Sequence, residues 1–406
     1  MLAVEAAGGA DLVVLPEGTF PAYVLGAAPL ETEAITRALD RLRDFARSTR
    51  TVVVVGAADA RDGVTRNAAF VIDADGSLAG RADKLFLWHF DRRWFAHGDR
   101  IEPIETAIGS LGVLICADGR LPTIARTLVD RGARALVMPT AWVTSGRDPQ
   151  RLENVQADLL ARVRAYENAV PFVAANKCGS ELGAVAYCGK SQIVARNGEI
   201  AAMASESEPE TLRASVELGE KPPTRATAIP APSLRAAAVD RPMRLAISFD
   251  QLPNGADALL ALLDDAYALA PGDARRTAEL DRAIPAASVD DELALDPAGL
   301  VGYRRAGYVL LRWTTALSSP WLERIARARA LELKLYIVVF DGAARRAFAV
   351  DPDGTIVAGT FGDYRLASFT LDPRRTTETE VAPGTDVREG LERVSAIESR
   401  GERAAT

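Results

Sequence analysis

The stretch LGVLICADGRLP, residues 111–122, is an apolar run that ends in Cys116 and continues at once into Ala117, Asp118, Gly119 and Arg120. The run LGVLIC has no charge and reads as a buried strand, while LPTIARTLVDRG reads as a helix closed by Gly132. A cysteine therefore stands where a buried strand comes out into a turn, the place where α/β folds put their chemistry. Its plain alternative is a small buried hydrophobe at the end of a strand.

Outward from this point the same alternation continues. ADLVVLP, TVVVVGAA, ARALVMPTAW and VPFVAANK read as strands; ETEAITRALDRLRDFARSTR and LENVQADLLARVRAYENA read as helices. RNAAFVIDADGSLAGRADK and KSQIVARNGEIAAM read as hairpins turning at DADG and RNG. Interleaving of this kind gives sheets covered by helices, an α/β class. Residues 219–242 are rich in proline and lose periodicity, so the sequence predicts a first domain over 1–218, a linker over 219–242, a second domain over 243–373 and a loose polar tail over 374–406. The second domain weakly repeats the first. GYVLLRWTTALSSPWLERIARARALELKLYIVVFDG follows the order of RALVMPTAW through ENAVPFVAANKCG, and AFAVDPDGTIVAG follows SQIVARNGEIAAM, without any cysteine.

The chain has 406 residues, 48% hydrophobic and 25% charged, with a net charge of −7 and scattered basic residues. A clustered basic face for nucleic acid is missing from this pattern. No apolar run approaches the roughly 18 residues that a membrane span needs. The N-terminus lacks a secretory pattern, and Cys116, Cys178 and Cys188 fit a reducing cytoplasm. With His89 and His97 as the only histidines, a histidine-rich metal site is excluded, and the cysteines are not spaced as a zinc site. The segment GKS at 189–191 lacks the glycine that a phosphate loop requires five places earlier, where Ala184 stands.

Two more residues share the setting of Cys116. Glu17 follows DLVVLP, and Lys84 follows the first hairpin in GRADKLFLWHF. Singly, each reads as a solvated loop charge. Together with a cysteine they can run acyl transfer without histidine. A thiol with an ordinary pKa of roughly 8.5 needs a base; a partly dry carboxylate can be one; and a lysine can hold an oxyanion beside a backbone N–H.

LVVLPEGTF, RADKLFLW and GVLICADGRLP resemble the three signature segments of the nitrilase superfamily of carbon–nitrogen hydrolases. RNAAFVIDADG, MPTAW, ARVRAYENAVPFVAANKCG and GKSQIVARNGEIAA resemble its supporting blocks, so that the likeness covers roughly residues 1–218. The resemblance implies a four-layer α-β-β-α sandwich, followed by a degenerate second copy of α-β-β-α type. It implies Glu17 as base, Lys84 and the Ala117 N–H as oxyanion holders, Cys116 as nucleophile, and no cofactor or metal. Where members often carry a second glutamate, this chain has Asp91, a candidate second acid or the partner of Arg92 or Arg93. Trp88, His89, Arg120 and Trp142 are candidate pocket residues, with core packing or structural ion pairs as equal readings; Glu167 and Asn168 resemble a structural helix contact. Members usually begin with a strand and a full helix ahead of ADLVVLPE, whereas this sequence begins inside that helix, so that either the true start lies upstream or the domain lacks its first strand; RPMRLAISFDQLP resembles such a strand, but more simply opens the second domain. Cys116-Ala117-Asp118 differs from the Cys-Trp-Glu of true nitrilases and resembles amidase and carbamoylase branches. The expectation is a cytoplasmic hydrolase of small amide or carbamoyl compounds, less readily nitriles, through a cysteine thioester. Its partners are a small-molecule substrate, with no nucleic acid and no membrane, and a second copy of the fold, as an intramolecular pseudo-dimer, a homodimer or both. An N-acyltransferase using the same thioester and a non-catalytic binding module are the alternatives.

Overall fold

The computed structural model describes residues 9–27, 29–61, 63–144, 152–183, 185–220, 241–249, 266–317, 319–362 and 364–405. They fall into two compact units, Met1–Ala226 with Ala382–Thr406, and Thr227–Val381. Residues 221–240, most of the expected linker, lie outside the described residues.

The first unit holds two sheets. One has the order β1 (Leu12–Val14), β2 (Val52–Arg61), β3 (Val64–Ile72), β4 (Leu78–Asp83), with β1 parallel to β2 and the rest antiparallel. Residues Val52 to Ala58 of β2 are all buried, as an uninterrupted apolar strand must be when both sheet faces are covered. Helix α1 (Thr32–Thr49) supplies one cover, laying Ile35, Leu42 and Phe45 against Val53, Val55 and Phe70. The second sheet is built from β5 (Ile104–Thr106), β6 (Gly109–Val113), β7 (Ala135–Pro139), β8 (Phe172–Ala175), β11 (Gln192–Val194) and β12 (Ile200–Met203), in the order β12-β11-β8-β7-β6-β5. Strands β6, β7 and β8 run parallel, and the outer pairs are antiparallel. A short pair, β9 (Ser180–Glu181) and β10 (Val185–Ala186), stands between β8 and β11. Helices α2 (Pro122–Asp130) and α3 (Ala161–Asn168) cover this sheet, while β1 and β2 of the first sheet pack against β7 and β8. The four layers are helix, sheet, sheet, helix, as the resemblance implies. Among the described residues β1 pairs with β2 alone.

One expectation is corrected by this unit. The segment read as a loose tail contains a helix, Val387–Ala405, that belongs to the first unit. Val387, Leu391, Val394 and Ile397 are buried; spacings of four, three and three put them on one helical face. That stripe outweighs the polar composition.

The second unit contains the sheet β14-β13-β20, from β13 (Met243–Ile247), β14 (Ala266–Leu269) and β20 (Ala367–Leu371). RPMRLAISF thus supplies a strand of the second unit, and residues 250–265 lie outside the described residues. A five-stranded sheet follows the order β15 (Ala286–Val289), β16 (Leu310–Thr315), β17 (Tyr336–Asp341), β18 (Arg346–Val350), β19 (Ile356–Gly359). Its first three strands are parallel and its last two antiparallel. This is the order and sense of β6, β7, β8, β11 and β12. Both sheets also carry one helix with the same buried ion pair, Arg164–Glu167 at 2.8 Å in the first unit and Arg329–Glu332 at 2.7 Å in the second. Each arginine Nε donates to a backbone carbonyl, of Gly119 and of Ala294 respectively, both at 3.1 Å.

Candidate active site

Glu17 leaves the end of β1 just past Pro16, and its N–H donates to the Thr140 carbonyl beyond β7 at 3.3 Å. Gly56 of β2 passes so close that a Cβ there would lie 2.5 Å from the Glu17 Cα. Only a residue without a side chain permits this approach. Lys84 ends β4, where its N–H donates to the Asn67 carbonyl at 2.8 Å. The Lys84 ammonium lies 2.7 Å from Glu17 Oε1 and 2.6 Å from Asp91 Oδ2, and all three side chains are fully buried. Asn67 on β3 donates its amide to the same Glu17 Oε1 at 2.6 Å. Asp91 Oδ2 also accepts the Trp88 N–H at 2.9 Å, which fixes the 3-10 turn His89–Arg93. The expected alternative for Asp91 is corrected here: its partner is Lys84, and Arg92 instead faces Glu389 at 3.6 Å. A buried lysine between two carboxylates gains more from both than either surface arginine could gain from one.

Cys116 opens a second 3-10 turn, Cys116–Arg120, directly after β6. Its φ of 47° lies in the left-handed region, which costs a side-chain-bearing residue energy and is held only where the surroundings demand it. Asp118 supplies that demand. Its Oδ2 accepts the Ile115 N–H at 3.0 Å, and its Oδ1 accepts the N–H groups of Leu85 and Phe86 at 3.0 and 2.8 Å. One carboxyl thus ties the strand end before the thiol to the two residues after Lys84. At Gly119 a Cβ would meet the ends of two side chains, Met138 Cε at 2.5 Å and Gln156 Oε1 at 2.7 Å, which would have to shift to admit it.

The charges are set by burial. It pushes the Cys116 thiol up to about 12, helped by the Glu17 charge and opposed by Lys84. Burial also raises Glu17, against the pull of Lys84 and with the push of Asp91. Lys84 is held well above its ordinary value; burial works against its charge, but Asp91 and Glu17 outweigh burial. Asp118 is pushed up to about 7 by burial, with its backbone N–H partners opposing. The resting site is therefore a neutral thiol beside a lysine that shares two carboxylates. Glu17 Oε2 and Asp91 Oδ1 remain buried with no hydrogen-bond partner.

The structure brings Glu17, Lys84 and Asp91 into contact and sets Cys116 within their field. Ala117 is fully buried beside the thiol. The Arg120 guanidinium stacks 4.8 Å from the centroid of the Trp88 ring. The His89 N–H donates to Thr385 Oγ1 at 2.6 Å, and its ring meets Phe90 edge-on at 5.3 Å. Trp142 is buried; its N–H donates to Asn176 Oδ1 at 2.6 Å, and its indole nitrogen has no partner. Glu167 pairs with Arg164, and the Asn168 amide donates to the Arg164 carbonyl at 2.9 Å. Sequence reasoning missed Asn67, Tyr23, the tether role of Asp118, and Thr385. Among the described residues no group of three or more His, Cys, Asp or Glu is placed to hold a metal, and no helix is long and apolar enough to cross a membrane.

A helix-sheet-sheet-helix sandwich with a cysteine on the elbow after a central strand, opposite a buried Glu–Lys pair, defines a class of thiol enzymes. The carbon-nitrogen hydrolase family profile matches residues 1–226, and the chain belongs to that family, the nitrilase superfamily. A nitrilase of Pyrococcus abyssi is 32% identical over 218 residues, which are 52% of this chain and 78% of that one. A probable nitrilase of Schizosaccharomyces pombe is 31% identical over 159 residues, covering 39% of this chain and 56% of that one. An apolipoprotein N-acyltransferase of Geobacter metallireducens is 30% identical over 237 residues, covering 53% of this chain and 42% of that one. The chain thus spans about half the length of the last two relatives.

Proposed function

We propose that the protein hydrolyses the carbon–nitrogen bond of a small primary amide or carbamoyl compound through a thioester on Cys116. The observation that carries this reading is the pair of unpartnered carboxylate oxygens, Glu17 Oε2 and Asp91 Oδ1, buried around one lysine. Unpaired buried acceptors are costly, and a ligand that brings N–H donors relieves them. A carboxamide –NH₂ has two such donors; a nitrile has none.

The chemistry then follows from the charges. Glu17 takes the thiol proton as sulfur attacks the carbonyl carbon, because a thiol held at about 12 is not ionised beforehand. The third proton of the Lys84 ammonium and the Ala117 N–H hold the oxygen that becomes negative. Glu17 returns its proton to the leaving nitrogen, the C–N bond breaks, and ammonia departs. Water then gives a proton to Glu17 and attacks the thioester, which releases the carboxylic acid and restores the thiol. An amine in place of water would take the acyl group, as the name of the acyltransferase relative describes for that protein.

The test is ammonia release from a panel of short primary amides, carbamoyl compounds and nitriles, repeated with primary amines present. Ammonia from amides or carbamoyl compounds, abolished in Cys116→Ala, supports the reading. Release from nitriles alone, or acyl–amine product in preference to acid, overturns it.

For the second unit we propose a degenerate copy of the first. The shared strand order and the repeated Arg–Glu pair support it. Aligning Ala294 on Gly119 through their arginine contacts puts Asp291 at the place of Cys116, where its carboxylate accepts the Trp313 indole N–H at 2.8 Å.

A further inference from the structure

Tyr23 lies in the loop between Glu17 and α1, and is 1% exposed. Its ring is held on several sides. Phe90 and Tyr187 pack against it with centroids at 5.5 and 6.3 Å, and the Lys84 ammonium sits 5.6 Å from its centroid. The next residue is anchored as well: the Val24 N–H donates to Glu181 Oε1 at 2.7 Å. Glu181 Oε2 in turn accepts the Tyr187 hydroxyl at 2.8 Å and the Lys177 ammonium at 2.7 Å. So the hairpin that carries Tyr187 fixes the loop that carries Tyr23.

The Tyr23 hydroxyl turns toward the Asp91 carboxylate, but its oxygen accepts no hydrogen bond, whereas the Tyr187 hydroxyl beside it is tied to Glu181. A phenylalanine would fill the same space without burying a polar atom, and a buried hydroxyl oxygen with no donor to accept from is destabilising. Burial, with the charges of Asp91, Glu17 and Cys116, holds the phenol well above its ordinary pKa, so that it stays protonated. Those three neighbours are the reacting groups themselves.

We propose that Tyr23 is a further catalytic residue, whose hydroxyl oxygen accepts an N–H of the bound carboxamide while its own proton points to the Asp91 carboxylate. The inference rests on the amide reading above. Once Glu17 holds the thiol proton it no longer accepts an N–H; with Asp91 Oδ1 and Tyr23 then taking the two N–H donors, the leaving nitrogen is turned so that the lone pair formed in the tetrahedral intermediate faces Glu17. That contact aids proton delivery to nitrogen and has no counterpart in an ester, whose leaving atom carries no N–H.

Tyr23→Phe removes only the hydroxyl. Wild type and variant are to be compared on a short primary amide and on the p-nitrophenyl ester of the same acid. The expected result is a loss of about tenfold or more in kcat/KM for the amide, with the ester changed less than twofold. An equal loss on both substrates, or none on either, overturns the role of Tyr23 while leaving the amide reading intact. Wild type that cleaves the ester but no amide overturns the amide reading, and this one with it. As a second measurement, an N,N-dimethyl amide that the wild type cleaves should show no difference between the two proteins; a tenfold difference there refutes N–H recognition.

Discussion

Replacing Asp118 by asparagine tests whether one buried carboxyl couples the two halves of the site. The carboxyl accepts three backbone N–H groups at 2.8–3.0 Å, from Leu85, Phe86 and Ile115. An asparagine with its oxygen toward Leu85 and Phe86 keeps two of these and turns an –NH₂ toward the Ile115 N–H. One buried donor is then unmet and faces another donor, for an expected loss of about 2 kcal/mol; alanine, which meets none of the three, should cost about 4 kcal/mol or more after partial relaxation. The pH dependence has a definite sign. The native carboxyl is raised from 3.8 to about 7 by burial, so its contribution to wild-type stability is fully present below about pH 4 and lost as pH rises through 7. Asparagine does not titrate, and the gap between the proteins should therefore be wider at pH 5 than at pH 8. Urea unfolding read by pulse alkylation of Cys116 and Cys188, both buried in the first unit, isolates that unit from the other. A variant within 0.5 kcal/mol of wild type at both pH values would refute the tether.

Three further outcomes are expected. Because the Glu17 charge is second to burial in holding the Cys116 thiol up, Glu17→Gln should alkylate faster at pH 8 while amide turnover drops at least about 100-fold; a parallel fall in both would sink this account of the base. The acid limb of kcat/KM should lie above pH 4.5, since Glu17 must be ionised and burial raises it, and Asp91→Asn should move that limb down by removing a neighbouring negative charge; an upward move in the pH–rate profile would contradict this. A side chain at Gly390 would meet Phe86 Cε2 at 2.8 Å and Leu121 Cδ1 at 2.9 Å, so Gly390→Leu should cost about 1–3 kcal/mol in urea unfolding, and an unchanged midpoint would mean that the terminal helix does not press on the catalytic loops.

Much of the site was legible because its chemistry sits at strand ends, and strands as apolar as VVVV and LGVLIC announce themselves. Glu17 and Cys116 stand at the ends of such runs and Lys84 follows a hairpin; the resemblance of the three segments to one family is what joined them. Tyr23 was not legible. Its position depends on Glu181, a residue more than 150 places away that holds the Val24 N–H, and no local pattern encodes a tether of that length. Asp118 was visible only as part of a motif, since its three bonds reach two separate loops. Asp91 was seen as a charge, but its choice of Lys84 over adjacent arginines is a matter of burial, which sequence does not print. The terminal helix is a different case: the stripe Val387, Leu391, Val394, Ile397 was there to be read, and the density of charged residues between its members concealed it.

The return of the last helix to the first unit makes the second unit an interruption of the catalytic one. Thr385, fully buried, accepts the His89 N–H, and Glu398 meets the Thr127 hydroxyl. Glu17, Lys84 and Cys116 precede the second unit along the chain, and the helix whose Gly390 lies against Phe86 and Leu121 follows it. A chain cut within the second unit is therefore expected to keep Glu17, Lys84 and Cys116 and to lose this buttress.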